Sequence, residues 1–303
     1  MQEIGLNVYI ENRYPGVTLG AITSPRGTIM IDAPLKTDDC HMWSSAVLNR
    51  TGTTLGGNGN SFHEHLLVYM DAHPDRTIGA RALENTGQVS VIIAQHDAAR
   101  RFEELPTIFK GQNPDSGAEW ETCDEVISTR WALPVMTFTE EMQLHWGHPT
   151  PKNGIKQPTL IILEHHSGPS AGAIWVHIPE YRIIFVGDAV CIHQPPFLET
   201  ADIPPWLEML ENMTTAKFRG YTFISSRSGI VHEKDILAQR NLLDNIQEGL
   251  YRLARRNATP EHSSELVPVL MAEIQFPEAR KMLYTHRLRY GLAEYYARHF
   301  QRQ

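Results

Sequence analysis

The apolar run His-Leu-Leu-Val-Tyr-Met at 65–70 leads straight into Asp71-Ala72-His73-Pro74-Asp75-Arg76. Carboxylates and an imidazole crowded at the end of an apolar segment suit two kinds of chemistry. One is ligation of a borderline metal with a position left for water. The other is proton transfer, with His73 and Asp71 as acid–base partners. Other reactive groups are more scattered. His63-Glu64-His65 lacks the His-Glu-x-x-His spacing of a metalloprotease. The glycine-rich stretch 51–60, TGTTLGGNGN, lacks the Gly-Lys-Ser/Thr ending of a phosphate-binding loop. His145 and His148, beside Trp146 and Pro149, read as a solvated loop. His165, His166 and His193 are candidates to supplement a metal site, but alternation along TLIILEHH sends 165 and 166 to opposite faces. Cys191 is a nucleophile only if His193 or Arg227 activates it; a buried inert thiol is the simpler reading.

These residues need a scaffold, and the pattern predicts one. Residues 6–35 read as paired strands, LNVYI, VTLGAITS and GTIMIDAPL, with Ser24-Pro25-Arg26-Gly27 as a turn. Segment 36–50 reads as a surface helix, and a helix is expected from about Thr77. Strand VSVIIA, helix DAARRFEEL and a short strand near 135–138 follow. TLIILEHH, AGAIWVHI and RIIFVGDAV read as hairpin strands, 202–214 as a helix and YTFISS as the last clear strand. From about 235 the period changes: Ile236, Leu237, Leu243, Ile246, Leu250 and Leu253 recur at helical spacing. Residues 277–300 also suit a helix, with Pro277 in its first turn. The organisation predicted is therefore a layered domain over 1–234 and a helical C-terminal extension over 235–303, in the α/β or α+β class.

Composition narrows the function classes. The 303 residues are 42% hydrophobic and 20% charged, enough for a large core and against intrinsic disorder. A net charge of −8 argues against non-specific nucleic-acid binding. No apolar run approaches the roughly 18 residues of a membrane span. The start, MQEIGLNVYIENR, lacks a basic segment followed by an apolar one, so no export signal is expected. Cys40, Cys123 and Cys191 are odd in number and widely spaced, which argues against a disulfide framework and for the cytoplasm.

Four stretches together resemble the metallo-β-lactamase superfamily. GVTLGAITSPRGTIMIDAPL resembles its opening strands, which end in an aspartate; VYMDAHPDRTIGA resembles its central His-x-His-x-Asp-His motif. SGPSAGAIWVHIPEYRIIFVGDAV resembles its Gly-His-Thr-x-Gly-Ser stretch followed by Gly-Asp, and FISSRSGIV its final Gly-His-Gly turn. The match covers roughly 6–232 and implies an α+β, four-layer αββα sandwich. The family's site holds two metals, commonly zinc, with five histidines and two aspartates. Carried over position by position, the first histidine is Asp71, the second is His73, the motif aspartate is Asp75 and the adjacent histidine is Arg76. The next histidine is Pro169, the bridging aspartate is Asp188, and the last histidine is Arg227.

Arginine offers no lone pair and proline no side-chain donor. The resemblance therefore implies a fold without a standard dinuclear centre. Asp71, Asp75 and Asp188 face Arg76 and Arg227, nearly balanced in charge without metal, and the two guanidinium forks are expected to fill the second metal's space and grip Asp75 and Asp188. The leading expectation has no cofactor: Asp71, His73, Asp75 and Asp188 line the site, and Arg76 and Arg227 bind a small anionic ligand, with an internal salt-bridge cluster without activity as the equal alternative for the same residues. The first alternative is hydrolysis of an ester, lactone, thioester or phosphoester with a single zinc, iron or manganese on Asp71, His73 and Asp188. The second is a non-enzymatic regulatory or scaffold protein, a homodimer through the C-terminal helices. Tyr284, His286, Arg289, Tyr290, Tyr295 and Tyr296 would then pack on the core or across that dimer.

Overall fold

The computed structural model describes residues 1–24, 26–50, 64–104, 116–123, 131–147 and 158–301. Pro25, the glycine-rich stretch 51–60, His63, His148 and Pro149 lie outside the described residues.

Two sheets form the centre. The first runs in the order β1 (Gln2–Gly5), β2 (Val8–Glu11), β3 (Leu19–Ser24), β4 (Gly27–Ile31), β5 (Glu64–Val68), β6 (Val91–Gln95) and β7 (Met136–Phe138). It is antiparallel as far as β4 and parallel from there to β7. The second contains β8 (Glu141–Trp146), β9 (Thr159–His165), β10 (Ile174–Ile178), β11 (Ile183–Gly187), β12 (Thr222–Ser225) and β13 (Gly229–Val231) in spatial sequence, antiparallel except for the β11–β12 pair.

Both sheets are covered on both faces, which explains why their central strands read as nearly unbroken apolar runs. On β4, Ile29 and Ile31 point between the sheets and meet Phe185 and Ile224 among others, whereas Met30 points outward. The outer face of the first sheet is covered by α1 (Thr37–Leu48), α2 (Ala80–Asn85) and α3 (His96–Glu104), through Trp43, Leu83 and Phe102. The outer face of the second carries α4 (Ile203–Met213), α5 (Glu233–Arg255), α6 (Val267–Glu273) and α7 (Lys281–Phe300). The helices after 233 share one apolar cluster with Trp175, Ile184 and Val186 of the second sheet. Four layers result, helix–sheet–sheet–helix. No described helix is long and apolar enough to cross a membrane.

Local differences from the sequence reading have physical causes. Segment 37–48 is not merely a surface helix: Cys40, Trp43, Ser44 and Val47 make a buried stripe at helical spacing. The helix expected from about Thr77 is α2, which starts three residues later at Ala80, after a 3-10 turn, Pro74–Arg76, that the sequence reading did not separate. Pro277 likewise precedes a short 3-10 turn, Glu278–Arg280, and α7 starts only at Lys281. His145 does not lie in a loop; it is an exposed residue of edge strand β8, whose burial alternates strictly along its length. Only one face of that strand is apolar, so the signal was weak beside Trp146 and Gly147. The three-residue β13 is too short to register as a pattern.

Candidate functional site

Four strand ends converge on one rim of the sandwich. Asp32 follows β4, Asp71 follows β5, Asp188 follows β11 and Arg227 follows β12. Such crevices beyond the carboxyl ends of strands are where α/β proteins assemble their sites.

Each turn is fixed locally. Asp32 adopts a left-handed backbone, φ 59°, and its carboxylate accepts from the Met70 amide at 2.9 Å and the Ser226 hydroxyl at 3.1 Å. Asp71 Oδ1 accepts the His73 amide at 2.7 Å, and His73 Nδ1 accepts the Asp75 amide at 3.2 Å, so side chains of the motif itself close the 3-10 turn. Because Nδ1 is an acceptor, the proton of the neutral ring sits on Nε2. Burial above all, then the nearby Arg227, lowers the His73 pKa to about 4 and keeps it neutral.

The two arginines lie at the centre. Arg76 is fully buried and grips Asp71 with two nitrogens, Nε to Oδ1 at 3.2 Å and Nη2 to Oδ2 at 2.5 Å. Its third nitrogen, Nη1, donates to Asp188 Oδ1 at 2.5 Å, and Nε lies 3.4 Å from Asp32 Oδ2. Arg227 Nε spans both oxygens of Asp188 at 3.1 and 3.3 Å; its Nη1 donates to Asp75 Oδ2 at 2.7 Å and to the Gly16 carbonyl at 3.1 Å. The pairing thus differs from the sequence expectation in one respect. The two-pronged grip of Arg76 falls on Asp71, not on Asp75, because Asp75 turns to Arg227 and to the Trp120 amide at 2.8 Å. Burial pushes the Asp188 carboxyl towards neutrality, but Arg227 and Arg76 outweigh it and hold it well below the usual carboxylate range. The same attraction overcomes burial to raise both guanidinium groups above their ordinary value. Asp32 goes the other way: burial dominates and lifts it to about 7, against the pull of Arg76.

Several participants escaped the sequence reading. Ser170, next to Pro169, donates to Asp71 Oδ2 at 2.9 Å. Phe197 lies between two guanidinium groups, 4.7 Å from Arg227 and 4.0 Å from Arg287, and packs against His73 at 4.2 Å. Arg287, on α7, is almost fully buried and donates to Gly117 O at 3.0 Å and Gln194 Oε1 at 2.9 Å. Its signal was positional: Tyr284, Leu288, Gly291, Leu292 and Tyr295 form the buried stripe of α7, and 287 falls on it.

The supplementary candidates do not join the cluster. His166 stacks on Trp175 at 3.9 Å and approaches Glu164, while His193 is exposed and bonds the Gln275 carbonyl at 3.1 Å. His165 Nδ1 is buried with no hydrogen-bond partner among the described residues. Cys191 is buried, with burial driving its thiol up to about 12, the inert alternative.

No family model matches the sequence, and no curated protein matches it. Solved structures do. A metallo-β-lactamase from Pontibacter korlensis aligns with 80% of this chain and 98% of its own, at TM-score 0.57 and 14% identity. The chain has the metallo-β-lactamase fold. The DIM-1 metallo-β-lactamase aligns at TM-score 0.55 and 14% identity, over 80% of this chain and 95% of that one. The sec-alkylsulfatase Pisa1 from Pseudomonas sp. aligns over 98% of this chain but 49% of that one, at TM-score 0.58 and 14% identity. At such identity the metallo-β-lactamase likeness speaks to fold alone, and the donor set must be judged on its own chemistry. Among the described residues no group of three His, Cys, Asp or Glu side chains could hold a metal ion. The carboxylates that would serve as ligands already accept from guanidinium groups, so these residues do not fit the two-metal centre.

Proposed function

We propose that this protein is a metal-independent member of the metallo-β-lactamase fold, with a degenerate hydrolytic centre, and that it binds a small anionic molecule rather than hydrolysing one. The observation carrying the reading is the placement of Arg76 and Arg227: two permanent cations that bridge Asp71, Asp75 and Asp188. They supply the positive charge that the carboxylates require, and a divalent ion beside them would meet strong repulsion.

The two arginines are not equivalent. Every nitrogen of Arg76 donates to a carboxylate, so its role is charge balance within the network. Arg227 keeps a buried Nη2 without a hydrogen-bond partner among the described residues, which makes it the guanidinium with capacity for an anion. The single-metal alternative on Asp71, His73 and Asp188 is disfavoured, since Arg76 holds both Asp71 oxygens and Asp188 Oδ1 and the His73 Nδ1 lone pair caps a turn.

Metal analysis of protein purified without chelator, followed by zinc titration, tests the reading. The expected result is no stoichiometric metal and no saturable zinc uptake at the rim. Tightly held metal that requires the aspartates would overturn it.

A further inference from the structure

Next to the ion-pair network, a pocket of about 330 Å³ is lined by Asn12, Arg13, Gly16, Arg227, Ser228 and Arg280, among others. Its charges are arranged in depth. Arg13 pairs through Nη2 with Glu11 at 2.9 Å, and Arg280 pairs through Nη1 with both oxygens of Glu119 at 2.7 Å. The carboxylates are buried, 3% and 9% exposed, whereas the arginine side chains are 67% and 37% exposed. Acid therefore anchors each arginine from behind while base faces the solvent. Each guanidinium carries five N–H donors, and the anchoring bond uses a single nitrogen of each. Arg227, itself part of the lining, donates to the Gly16 carbonyl, and its buried Nη2 has no hydrogen-bond partner among the described residues.

We infer that this pocket is a binding site for a phosphate monoester of a small organic alcohol. The inference rests on the anion-binding reading above and names its ligand class and its entrance. A carboxylate presents one edge of two oxygens and satisfies a single guanidinium fork. A phosphate presents three terminal oxygens and can accept from two forks at once. The cavity exceeds the volume of a bare oxyanion and falls at the lower end of small-molecule sites, which leaves room for a short organic body beside Asn12 and Ser228.

Calorimetric titration of the full chain with glycerol 3-phosphate, inorganic phosphate, glycerol sulfate and acetate tests this. The ester is expected to bind at least about tenfold more tightly than acetate and than inorganic phosphate. Arg13→Ala and Arg280→Ala are each expected to weaken ester binding by about tenfold or more. Arg13 is largely exposed, so its variant keeps the test readable if loss of the Arg280–Glu119 pair unfolds the chain. Equal affinity for acetate, equal affinity for inorganic phosphate, preference for the sulfate ester, or indifference to Arg13→Ala overturns the assignment. Metal analysis of the same samples separates the two failures. A metal-free, folded chain that ignores phosphate esters defeats this inference alone, whereas stoichiometric metal defeats the reading beneath it.

Discussion

Arg76 Nη1 and Asp188 Oδ1 meet at 2.5 Å although 112 positions separate them in sequence, and this contact joins the strand ends of the two sheets. The other two nitrogens of Arg76 hold Asp71, so one side chain neutralises carboxylates from both halves of the sandwich. Removing it leaves those buried carboxylates short of countercharge. Arg76→Ala is expected to cost about 3–5 kcal/mol, the range for breaking one partner out of a buried pair. Arg76→Lys should recover little of it, because one ammonium cannot reproduce a planar three-nitrogen fork. Urea denaturation of both variants checks this, with Arg26→Ala as control. Arg26 pairs with Glu64 on the surface, 43% and 47% exposed, and its loss should cost no more than about 1 kcal/mol.

Asp32 and His73 should give stability slopes of opposite sign between about pH 4 and 6.5. Asp32 titrates near 7 in the folded protein, so from about 3.9 upward the unfolded chain has lost a proton that the folded one keeps. Its contribution therefore falls as pH rises towards 7. His73 titrates near 4 when folded and near 6.5 when unfolded, so the unfolded chain binds the extra proton and stability rises with pH across that window. Burial shifts other groups too, Glu199 to about 7, and these add slopes of their own in this window, so the difference between variant and native protein isolates Asp32. Asp32→Asn removes one falling slope, and its urea midpoint relative to the native protein's is expected to climb from pH 4.5 to 6.5. A difference that stays constant across that window would contradict the buried, protonated Asp32.

How much of this was legible beforehand depends on the range of the signal. The inner strands were readable because both faces of β4 and β11 are buried, so the sequence carries continuous apolar runs. Asp71, Arg76 and Arg227 were visible as departures, and His73, Asp75 and Asp188 as retained residues, at fixed positions of motifs that follow strands. Which carboxylate each arginine grips was not visible, since Asp75 is drawn away by the Trp120 amide, a contact spanning 45 positions. Phe197 and Arg287 stayed hidden for the same reason. A phenylalanine in a proline-rich loop and one arginine among several on α7 acquire meaning only when the last helix folds back over the rim.

Cysteine chemistry offers an independent check on the packing. Cys40 and Cys191 are buried and burial raises both thiols, Cys191 to about 12, whereas Cys123 is partly exposed. Iodoacetamide requires thiolate and access. Under native conditions Cys123 is expected to be labelled at least about tenfold faster than the other two, read by peptide mass spectrometry. Rapid labelling of Cys191 would mean that the loop bearing Phe197 opens, and the closed geometry around Asp188 would have to be abandoned.

The proposed exchange of metals for arginines should be reversible by mutation. Restoring histidine at 71, 76, 169 and 227 in one variant removes both guanidinium groups and returns imidazole donors around His73, Asp75 and Asp188. Each imidazole adds a lone pair suited to zinc, and the two remaining aspartates then lack countercharge unless a cation enters. The quadruple variant is expected to be unstable alone and to gain thermal stability as zinc is added, because an ion that binds only the folded state shifts the equilibrium by mass action. Arg76→His by itself should take up little zinc, since Arg227 would still occupy Asp188 and Asp75. Metal stoichiometry and melting temperature across a zinc series separate these outcomes. A quadruple variant that stays folded and indifferent to zinc would show that something other than the two cations keeps metal from this rim.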